Sequence, residues 1–361
     1  MIKNHQPKTV LVGLSGGIDS AVAAKLLLAA GFDVFGIHLH LWQENKKIIR
    51  AREAQVKKVA QQIGIPLLII DAQKDFQKYV VKYFLQELKC GLTPNPCVEC
   101  NYYVKFRLLN DLARQLEADY IATGHYAKKI AAYHKMPNGT KKPIFKILKA
   151  KDKNKDQSYF LWRLNQKLLQ KIIFPLGDFT KEEVQIMARK WHLDFKKITE
   201  SQDLCFVNDL EKFIHQSLKP RSGPIIDATN HQIIGQHKGL AFYTIGQRRH
   251  IHLPAAEPYY VVDKNPQKNI LYVAPASQIK YFQTDKVILK KINFIGPKPN
   301  LPLDCEVKLR YRTKPLKAQL IHQKFYALRL QKPVFGITPG QSAVFYHRQE
   351  LIGGGIIKNN F

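Results

Sequence analysis

The chain has 361 residues, 45% of them hydrophobic, a composition typical of a globular protein with more than one domain. It carries 57 lysines and arginines against 28 aspartates and glutamates, and the formal net charge of +29 is spread over both halves of the chain. This excess predicts a polyanionic partner, although a proteome biased towards lysine would also explain it. The N-terminus has no apolar signal core, and no apolar run reaches membrane-spanning length, so we expect a cytoplasmic protein.

The first predicted element is a short strand at residues 10–12, which a glycine-rich loop (GLSGGIDS, 13–20) connects to a helical pattern at 21–30. A glycine turn between a strand and a helix lets the backbone approach an anion, and the N–H groups of the first helical turn point at it. The lysine of a Walker A loop is absent, which excludes an ordinary P-loop nucleotide hydrolase. Asp19 is placed to hold the Mg²⁺ that accompanies a nucleotide. The simpler alternative is a tight turn in which Asp19 or Ser20 caps the helix.

Strands and helices alternate in the N-terminal half of the chain. This alternation predicts an α/β fold with a doubly wound parallel sheet, in which ligands bind at the carboxyl ends of the strands. The glycine-rich loop, the residues after Leu39 and the segment 123–126 all lie at such ends. The further predicted strands are 34–39, 67–70 and 120–122, and the predicted helices are 51–63, 75–88 and 106–116.

The pattern of predicted elements changes from helical to β-rich after Cys205. A capping box of Thr180 and Glu183 begins one more helix, and short β-rich runs with glycine and proline then dominate. We therefore predict a catalytic domain at 1–208 and two small β-rich domains at 209–281 and 282–361, the last a β-barrel. The predicted strands in this half include 259–262, 270–273, 307–311 and 343–346.

The five cysteines are an odd number and do not indicate a secreted disulfide framework. Cys97 and Cys100 form a C-x-x-C pair directly after a proline-rich stretch. A zinc site would need Cys90 and Cys205 to approach them, and inert buried thiols are a further alternative. We favour reactive thiols, because a proline-rich loop is expected to be exposed and basic surroundings lower the pKa of a thiol.

Polar and basic motifs elsewhere indicate further functional positions. His125 follows a predicted strand, which favours a place near a nucleotide or its target. The stretch 155–159 (KDQSY) by itself indicates a solvated loop. Basic and aromatic residues at 247–249 and 310–312 suit stacking on RNA bases and pairing with phosphates, although ordinary exposed arginines on hairpins are the alternative.

Taken in order, these motifs resemble the bacterial tRNA-specific 2-thiouridylases, the MnmA family of the PP-loop ATP pyrophosphatase superfamily. The resemblance runs from end to end, and its motifs are specific in combination. They are GLSGGIDS at 13–20, TPNP at 93–96, CN at 100–101, KF at 105–106, ATGHY at 122–126, KDQSYFL at 155–161, SQDLCF at 201–206, GQR at 246–248, RYR at 310–312 and TPGQS at 338–342.

The resemblance implies an enzyme, a sulfurtransferase, that 2-thiolates the wobble uridine (position 34) of tRNAs for lysine, glutamate and glutamine. ATP with Mg²⁺ would adenylate O2 of the flipped-out uridine, so that AMP becomes a leaving group and pyrophosphate departs. Cys205 would carry a persulfide received from a cysteine desulfurase or a sulfur-relay protein. Cys100, as nucleophile, would release sulfide and form a Cys100–Cys205 disulfide, or help deliver the sulfur directly. We expect a monomer.

The resemblance also implies site residues. The implied ATP site comprises Gly13, Leu14, Ser15, Gly16, Gly17, Ile18, Asp19, Ser20, Leu39 and Gly124. The implied target-base site comprises Asn95, Pro96 and Cys97. The implied tRNA contacts are His125, Lys155, Asp156, Gln157, Arg310, Tyr311 and Gln341.

The chain departs from the family pattern at Cys97, where many members have an aspartate that is a candidate general base. Cys97 could replace that base only as a thiolate. Alternatively, Cys97, Cys100 and Cys205 could ligate an iron–sulfur cluster with one iron left open for sulfide. Two other classes stay open: a different adenylating enzyme, such as an argininosuccinate or nucleotide-amidating synthetase, and a catalytically idle RNA-binding protein.

Overall fold

The computed structural model of the protein describes residues 7–42, 46–135, 139–193, 204–207, 209–251, 253–254 and 256–358. The N-terminal half comprises β1 (Thr9–Gly13), α1 (Ile18–Ala29), β2 (Asp33–His40), α2 (Lys46–Ile63), β3 (Leu67–Asp71), α3 (Gln73–Phe76), a π-helical segment (Gln77–Val81), α4 (Lys82–Lys89), α5 (Pro96–Glu99), a second π-helical segment (Cys100–Lys105), α6 (Phe106–Gln115), β4 (Tyr120–Thr123), β5 (Lys128–Lys135), β6 (Lys141–Leu148), a 3₁₀ helix (Ser158–Leu161), α7 (Gln166–Lys171), β7 (Ile172–Ile173) and α8 (Lys181–Lys190).

The remaining elements are mainly strands. They are α9 (Leu210–Leu218), β8 (Gly223–Asp227), β9 (Ile233–His237), a 3₁₀ helix (Leu240–Phe242), β10 (Tyr259–Asn265), β11 (Ile270–Pro275), a 3₁₀ helix (Ala276–Phe282), β12 (Thr284–Phe294), β13 (Leu303–Lys308), β14 (Leu316–His322), β15 (Tyr326–Val334), β16 (Ser342–His347) and β17 (Glu350–Ile357). No helix of the described ranges is both long and apolar enough to cross a membrane.

A five-stranded parallel sheet of order β3-β2-β1-β4-β7 forms the N-terminal domain, as the alternating pattern predicted. Val10, Leu11 and Val12 of β1 are completely buried, because helices cover both faces of a central parallel strand. One face packs against α1, α2 and α8. The other packs against α6 and, through Trp162, against residues of the last two strands, so the N-terminal domain and the C-terminal strands share one core.

Six antiparallel strands close into a barrel in the order β12-β15-β14-β13-β16-β17, since β12 also pairs with β17. This confirms the predicted barrel. The hairpin β5–β6 extends the barrel sheet, because Ile147 and Leu148 pair with the start of β17. A separate four-stranded sheet of order β10-β11-β8-β9 lies between the two larger units in the chain. Our domain boundaries near 208 and 281 stay predictions.

Several predicted elements differ in detail from the structure. The strand predicted at 307–311 ends at Lys308, because the carbonyl of Arg310 accepts hydrogen bonds from both N–H and Oγ1 of Thr313 and the chain turns there. The helix predicted at 51–63 begins at Lys46, and the helix predicted at 75–88 contains a π-helical segment. The capping box of Thr180 and Glu183 is confirmed, with Glu183 N donating to Thr180 Oγ1 at 3.2 Å.

Candidate active site

The glycine-rich loop connects β1 to α1 with its first-turn amides uncapped by any side chain. Gly16 has a φ of +82°, a conformation that favours glycine. The N-cap of α1 is Gly17, which provides no side-chain hydrogen bond, so neither Asp19 nor Ser20 caps the helix. Instead Ser20 Oγ donates to the carbonyl of Gly17 at 2.9 Å, and Ser15 Oγ accepts from Gly17 N at 3.3 Å. The N-terminus of α1 therefore presents backbone N–H groups without a side-chain cap, which is the arrangement of an anion-binding site.

Gly124 lies against the start of α1. A Cβ atom placed on Gly124 would be 2.8 Å from both the carbonyl carbon of Asp19 and the amide nitrogen of Ser20. Only glycine allows the loop after β4 to approach the first turn of α1 this closely. Leu39 lies at the carboxyl end of the neighbouring strand β2. The structure thus brings together the positions predicted to bind ATP, at one edge of the parallel sheet.

The carboxylate of Asp19 is held by two groups from distant parts of the chain. Lys181 Nζ donates to both carboxylate oxygens at 2.7 and 2.9 Å, and the hydroxyl of Tyr126 donates to Oδ1 at 2.8 Å. The amide of Lys181 in turn donates to Asp152 at 3.0 Å. An ammonium group therefore occupies the place at Asp19 that we assigned to a magnesium ion. No local pattern in the sequence marks Lys181 as a partner of Asp19.

His125 is packed and uncharged. Its Nδ1 lies 2.8 Å from the hydroxyl of Thr123, and its ring contacts that of Phe106 at a centroid distance of 5.7 Å. Burial, together with the nearby positive charge of Lys105, lowers the pKa of His125 to about 3. The imidazole is neutral at physiological pH, so it cannot contribute a positive charge to phosphate binding in this arrangement.

The segment after β6 holds the loop that carries His125. Gln157 Oε1 accepts from Tyr126 N at 3.0 Å, and Gln157 N donates to the Tyr126 carbonyl at 2.8 Å. Asp156 is buried and accepts from the amides of Ala150 and Ser158 at 3.1 and 3.2 Å. The expectation of a simple solvated loop is wrong. The buried carboxylate of Asp156 organises this loop, whereas Lys155 is partly exposed, and contact of either residue with tRNA stays a prediction.

Cys97 and Cys100 lie on a helix and not on an exposed loop, contrary to our prediction. Pro96 is the first residue of α5, which contains Cys97, and Cys100 begins the π-helical segment that follows. Burial raises the pKa of Cys97 to about 11 and that of Cys100 to about 12, although Lys105 opposes both increases. Both groups are therefore protonated thiols at neutral pH, and the predicted lowering of the thiol pKa is wrong.

Cys205 is exposed, and the residue after it anchors it beside the other thiols. The ring of Phe206 contacts four aromatic rings at centroid distances of 5.4 to 5.9 Å, namely those of Trp42, Phe76, Phe84 and Phe213. Phe206 and Cys100 belong to the same buried cluster. A negative charge on Cys205 would raise the pKa of Cys100, so the two side chains lie near each other. Both are free thiols. Residues 201–203 of the SQDLCF motif lie outside the described residues.

Lys105 is the positive group of the thiol site. It ends the π-helical segment that Cys100 begins, and a π-helical turn places residues five apart on the same side. Burial opposes its charge, but the thiolate forms of the neighbouring Cys100, Cys205 and Cys97 would stabilise the ammonium, so the pKa of Lys105 is raised overall. Lys105 belongs to the KF motif at 105–106, to which the sequence alone assigned no role. In a helical pattern of period 3.6, residues on one face are three or four positions apart, so the sequence does not indicate that Lys105 lies beside Cys100.

Residues next to barrel strand β16 form hydrogen bonds with the loop that precedes Cys97 and Cys100. Gln341 Nε2 donates to the carbonyls of Thr93 and Pro94 at 2.9 and 3.4 Å, and Thr93 N donates to the carbonyl of Pro339 at 2.9 Å. These contacts join the barrel to the segment that leads through Asn95 into α5. Gln341 therefore has a positioning role here, and its contact with tRNA stays a prediction.

Arg310 and Tyr311 are also packed between domains. Arg310 Nη2 donates to the carbonyls of Ile245 and Gly336 at 2.6 and 2.9 Å and contacts the hydroxyl of Thr338. The Tyr311 ring lies on that of Phe160, with centroids 4.4 Å apart. Arg310 joins the central sheet to the barrel, and Tyr311 joins the barrel to the N-terminal domain. Direct stacking of either residue on RNA stays a prediction.

The donor groups do not form a metal centre. Within the described ranges, no group of three or more histidine, cysteine, aspartate or glutamate side chains is arranged to hold a metal ion. Cys97, Cys100 and Cys205, as placed here, therefore do not fit the iron–sulfur cluster, and with Cys90 they do not fit a zinc site.

Comparison with known proteins agrees with this architecture. Residues 8–209 match the family model described as a tRNA methyl transferase HUP domain, 211–275 the matching PRC-barrel domain, and 284–357 the aminomethyltransferase β-barrel domain. The tRNA-specific 2-thiouridylase MnmA of Thermus thermophilus is 38% identical over 97% of this chain and 95% of its own length. The chain belongs to the MnmA family.

Other similar proteins were found. The MnmA protein of Chloroflexus aurantiacus is 40% identical over 96% of this chain and 98% of its own length. Among solved structures, the U34-tRNA thiolase NcsA from Methanococcus maripaludis is 21% identical, covering 55% of this chain and 62% of its own, with a TM-score of 0.35. That likeness is too low to bear on the site.

Proposed function

We propose that this protein is a tRNA sulfurtransferase that 2-thiolates the wobble uridine (position 34) of tRNAs for lysine, glutamate and glutamine, using ATP and a persulfide. One observation carries the proposal: the ring of His125, the residue after Gly124, contacts that of Phe106 at a centroid distance of 5.7 Å, and Phe106 directly follows Lys105, the lysine beside the thiols. This contact supports an anion site and a sulfur site that lie near each other. The family membership supports the tRNA substrate, and the formal net charge of +29 suits it.

In the first half-reaction, the loop from Gly13 to Ser20 would bind the phosphates of ATP, with Leu39 and Gly124 against the nucleoside. O2 of the uridine attacks the α-phosphorus, the bond to the β-phosphate oxygen breaks, and pyrophosphate leaves. Asp19 provides one hard oxygen beside the loop, which suits Mg²⁺ held mainly by phosphate oxygens. Bound there, Mg²⁺ would neutralise phosphate charge. In that state the ammonium of Lys181 would turn from Asp19 towards a phosphate.

In the second half-reaction, sulfur replaces AMP at C2 of the uridine. The terminal sulfur of a Cys205 persulfide attacks C2, and AMP leaves with the former O2. The Cys100 thiolate then attacks Cys205 Sγ, which breaks the sulfur–sulfur bond, leaves sulfur on the base and forms a Cys100–Cys205 disulfide. In the other route, the same attack by Cys100 releases sulfide first, and sulfide attacks C2. Either route needs a dithiol reductant to restore both thiols.

The roles of the remaining thiol-site residues follow from burial and charge. Cys100 must lose a proton from a group whose pKa is raised by burial, and the ammonium of Lys105 is the positive charge that stabilises its thiolate. Asn95, Pro96 and Cys97 would face the target base. Cys97 has a pKa raised to about 11, so it is a poor replacement for a carboxylate base at neutral pH.

The decisive experiment is mass spectrometry of nucleosides from tRNA incubated with ATP, Mg²⁺, a cysteine desulfurase and cysteine. Wild type should form 2-thiouridine and Cys205→Ala should not. The matched control is Cys90→Ala, because Cys90 is also an exposed free thiol, at the end of α4, and has no role in the proposed reaction. Tight tRNA binding without pyrophosphate release would favour an idle RNA-binding protein. ATP-dependent activity that survives Cys205→Ala would favour another adenylating enzyme.

The iron–sulfur alternative has its own readout. Protein purified without oxygen should contain no stoichiometric iron and no visible absorbance from a cluster, because the three thiols are not arranged as ligands. The family relationship and the free thiols also favour a reducing compartment, the cytoplasm, for this reaction.

A further inference from the structure

The hairpin formed by β5 and β6 projects from the rim of the candidate site. Its first residue, Lys128, follows His125 by three positions, and only its base pairs with the barrel, through Ile147 and Leu148. The two strands remain paired with each other up to Lys135 and Lys141. At about 3.3 Å per residue, the tip lies roughly 23 Å along the ribbon from its base. The tip therefore stands well away from the base of the ribbon, which follows the loop that carries His125.

The hairpin is basic throughout. Residues 128–148 contain six lysines and no aspartate or glutamate. The lysines near the base are occupied: Lys128 pairs with Asp178 at 2.5 Å, Lys146 pairs with Glu350 at 2.8 Å, and Lys129 donates to the carbonyl of Leu169 at 3.0 Å. These contacts fix the base of the ribbon on the body of the protein.

The tip presents its lysines to solvent together with an exposed aromatic ring. Lys135, Lys141 and Lys142 are exposed, and Tyr133 has 73% of its surface accessible. Lys135 is paired with Lys141 across the ribbon, and Tyr133 with Pro143. Because side chains alternate along a strand, Tyr133, Lys135 and Lys141 share one face. Like charges directly opposite each other destabilise a hairpin, and a bound anion would relieve that repulsion.

We propose that this hairpin tip, defined as Tyr133, Lys135, Lys141 and Lys142, binds the sugar–phosphate backbone of the substrate tRNA at a stem outside the anticodon arm. The inference rests on the proposed function for its substrate. The partner is an RNA duplex backbone because lysines act as point charges without base selectivity, and because the tip stands seven residues along the ribbon from its base, which follows the loop of His125. The hairpin thereby lets the enzyme prefer whole tRNA to an isolated anticodon arm.

The test compares two triple variants that lose the same charge. The tip variant is Lys135→Gln, Lys141→Gln and Lys142→Gln. The control variant replaces exposed lysines on α2, α4 and α8, namely Lys57→Gln, Lys82→Gln and Lys190→Gln. The equilibrium dissociation constant for unmodified whole tRNA is measured for wild type and both variants at several salt concentrations. No catalysis is needed for this measurement.

We expect the tip variant to lower the slope of log affinity against log salt by about 2.7, because it loses three phosphate contacts and each removes about 0.9. Affinity at low salt should fall about tenfold or more, and the control variant should match wild type. The KM for whole tRNA should rise similarly, while the KM for an isolated anticodon-arm hairpin should not change. These results would establish the hairpin as a contact with the tRNA body.

Two results would overturn the inference. Equal salt slopes for the tip and control variants would show that the tip does not contact phosphates. Equal losses with the whole tRNA and the anticodon arm would place the contact within that arm. If wild type forms no 2-thiouridine on either RNA, the proposed function fails, and the salt slopes still decide whether the tip binds tRNA.

Discussion

Replacing Gly124 by alanine tests whether the loop after β4 and the first turn of α1 form a nucleotide site. The added Cβ would lie 2.8 Å from two backbone atoms and 3.1 Å from a third. Ordinary contact begins at 3.4 Å, so the backbones must separate by about 0.6 Å. The atoms that block the Cβ belong to Asp19 and Ser20, so no side-chain rotation relieves the overlap.

The displacement moves the amides that would bind phosphate, and a misplacement of about 1 Å in an active site costs roughly a hundredfold in rate. We therefore expect kcat/KM for ATP to fall about 10- to 100-fold in Gly124→Ala, which corresponds to about 1.4 to 2.7 kcal/mol of transition-state stabilisation. The matched control is Gly296→Ala, because a Cβ at Gly296 meets no atom within 4 Å.

The assay measures ATP-dependent pyrophosphate release with tRNA, together with the thermal unfolding midpoint of each variant. Both variants should remain folded, and Gly296→Ala should keep wild-type kinetics. A Gly124→Ala enzyme with an unchanged kcat/KM for ATP would refute the reasoning, since it would show that the close approach of these two segments has no bearing on ATP.

Four other predictions concern the thiols and the barrel. In free protein at pH 8, iodoacetamide should modify exposed Cys205 well before Cys100, whose pKa is raised to about 12 by burial; equal rates by peptide mass spectrometry would contradict this. Lys105→Met should slow Cys100 alkylation at pH 8 further, by about tenfold, with Lys105→Arg closer to wild type, because a positive charge favours the thiolate. Gln341→Ala should speed Cys100 alkylation without tRNA present, since two hydrogen bonds to the preceding loop are lost; an unchanged rate would limit Gln341 to contacts with RNA. Leu328→Ala in the barrel core should reduce the free energy of unfolding by about 2 to 5 kcal/mol in urea titrations, and a loss below about 1 kcal/mol would contradict its burial.

Local patterns in the sequence determined a large part of the architecture. The apolar run of β1, the glycine-rich loop and the helical pattern after it predicted a strand, an anion-binding turn and a helix, and all three are present. The capping box of Thr180 and Glu183 also formed as predicted. These features depend on residues within a few positions of one another, so their physical causes are contained in short stretches of sequence.

Only the tertiary structure decided the environment of the candidate site. Whether Cys100 is exposed, whether Lys181 reaches Asp19, and whether Gln341 holds the loop before α5 depend on packing between segments more than 100 residues apart. A proline-rich stretch predicts exposure when read alone. Here the helical segments that contain Phe76 and Phe84, together with Phe206, bury Cys100, and desolvation raises the thiol pKa values that basic neighbours alone would lower. The motif predicted which atoms react, and the fold determined their protonation states.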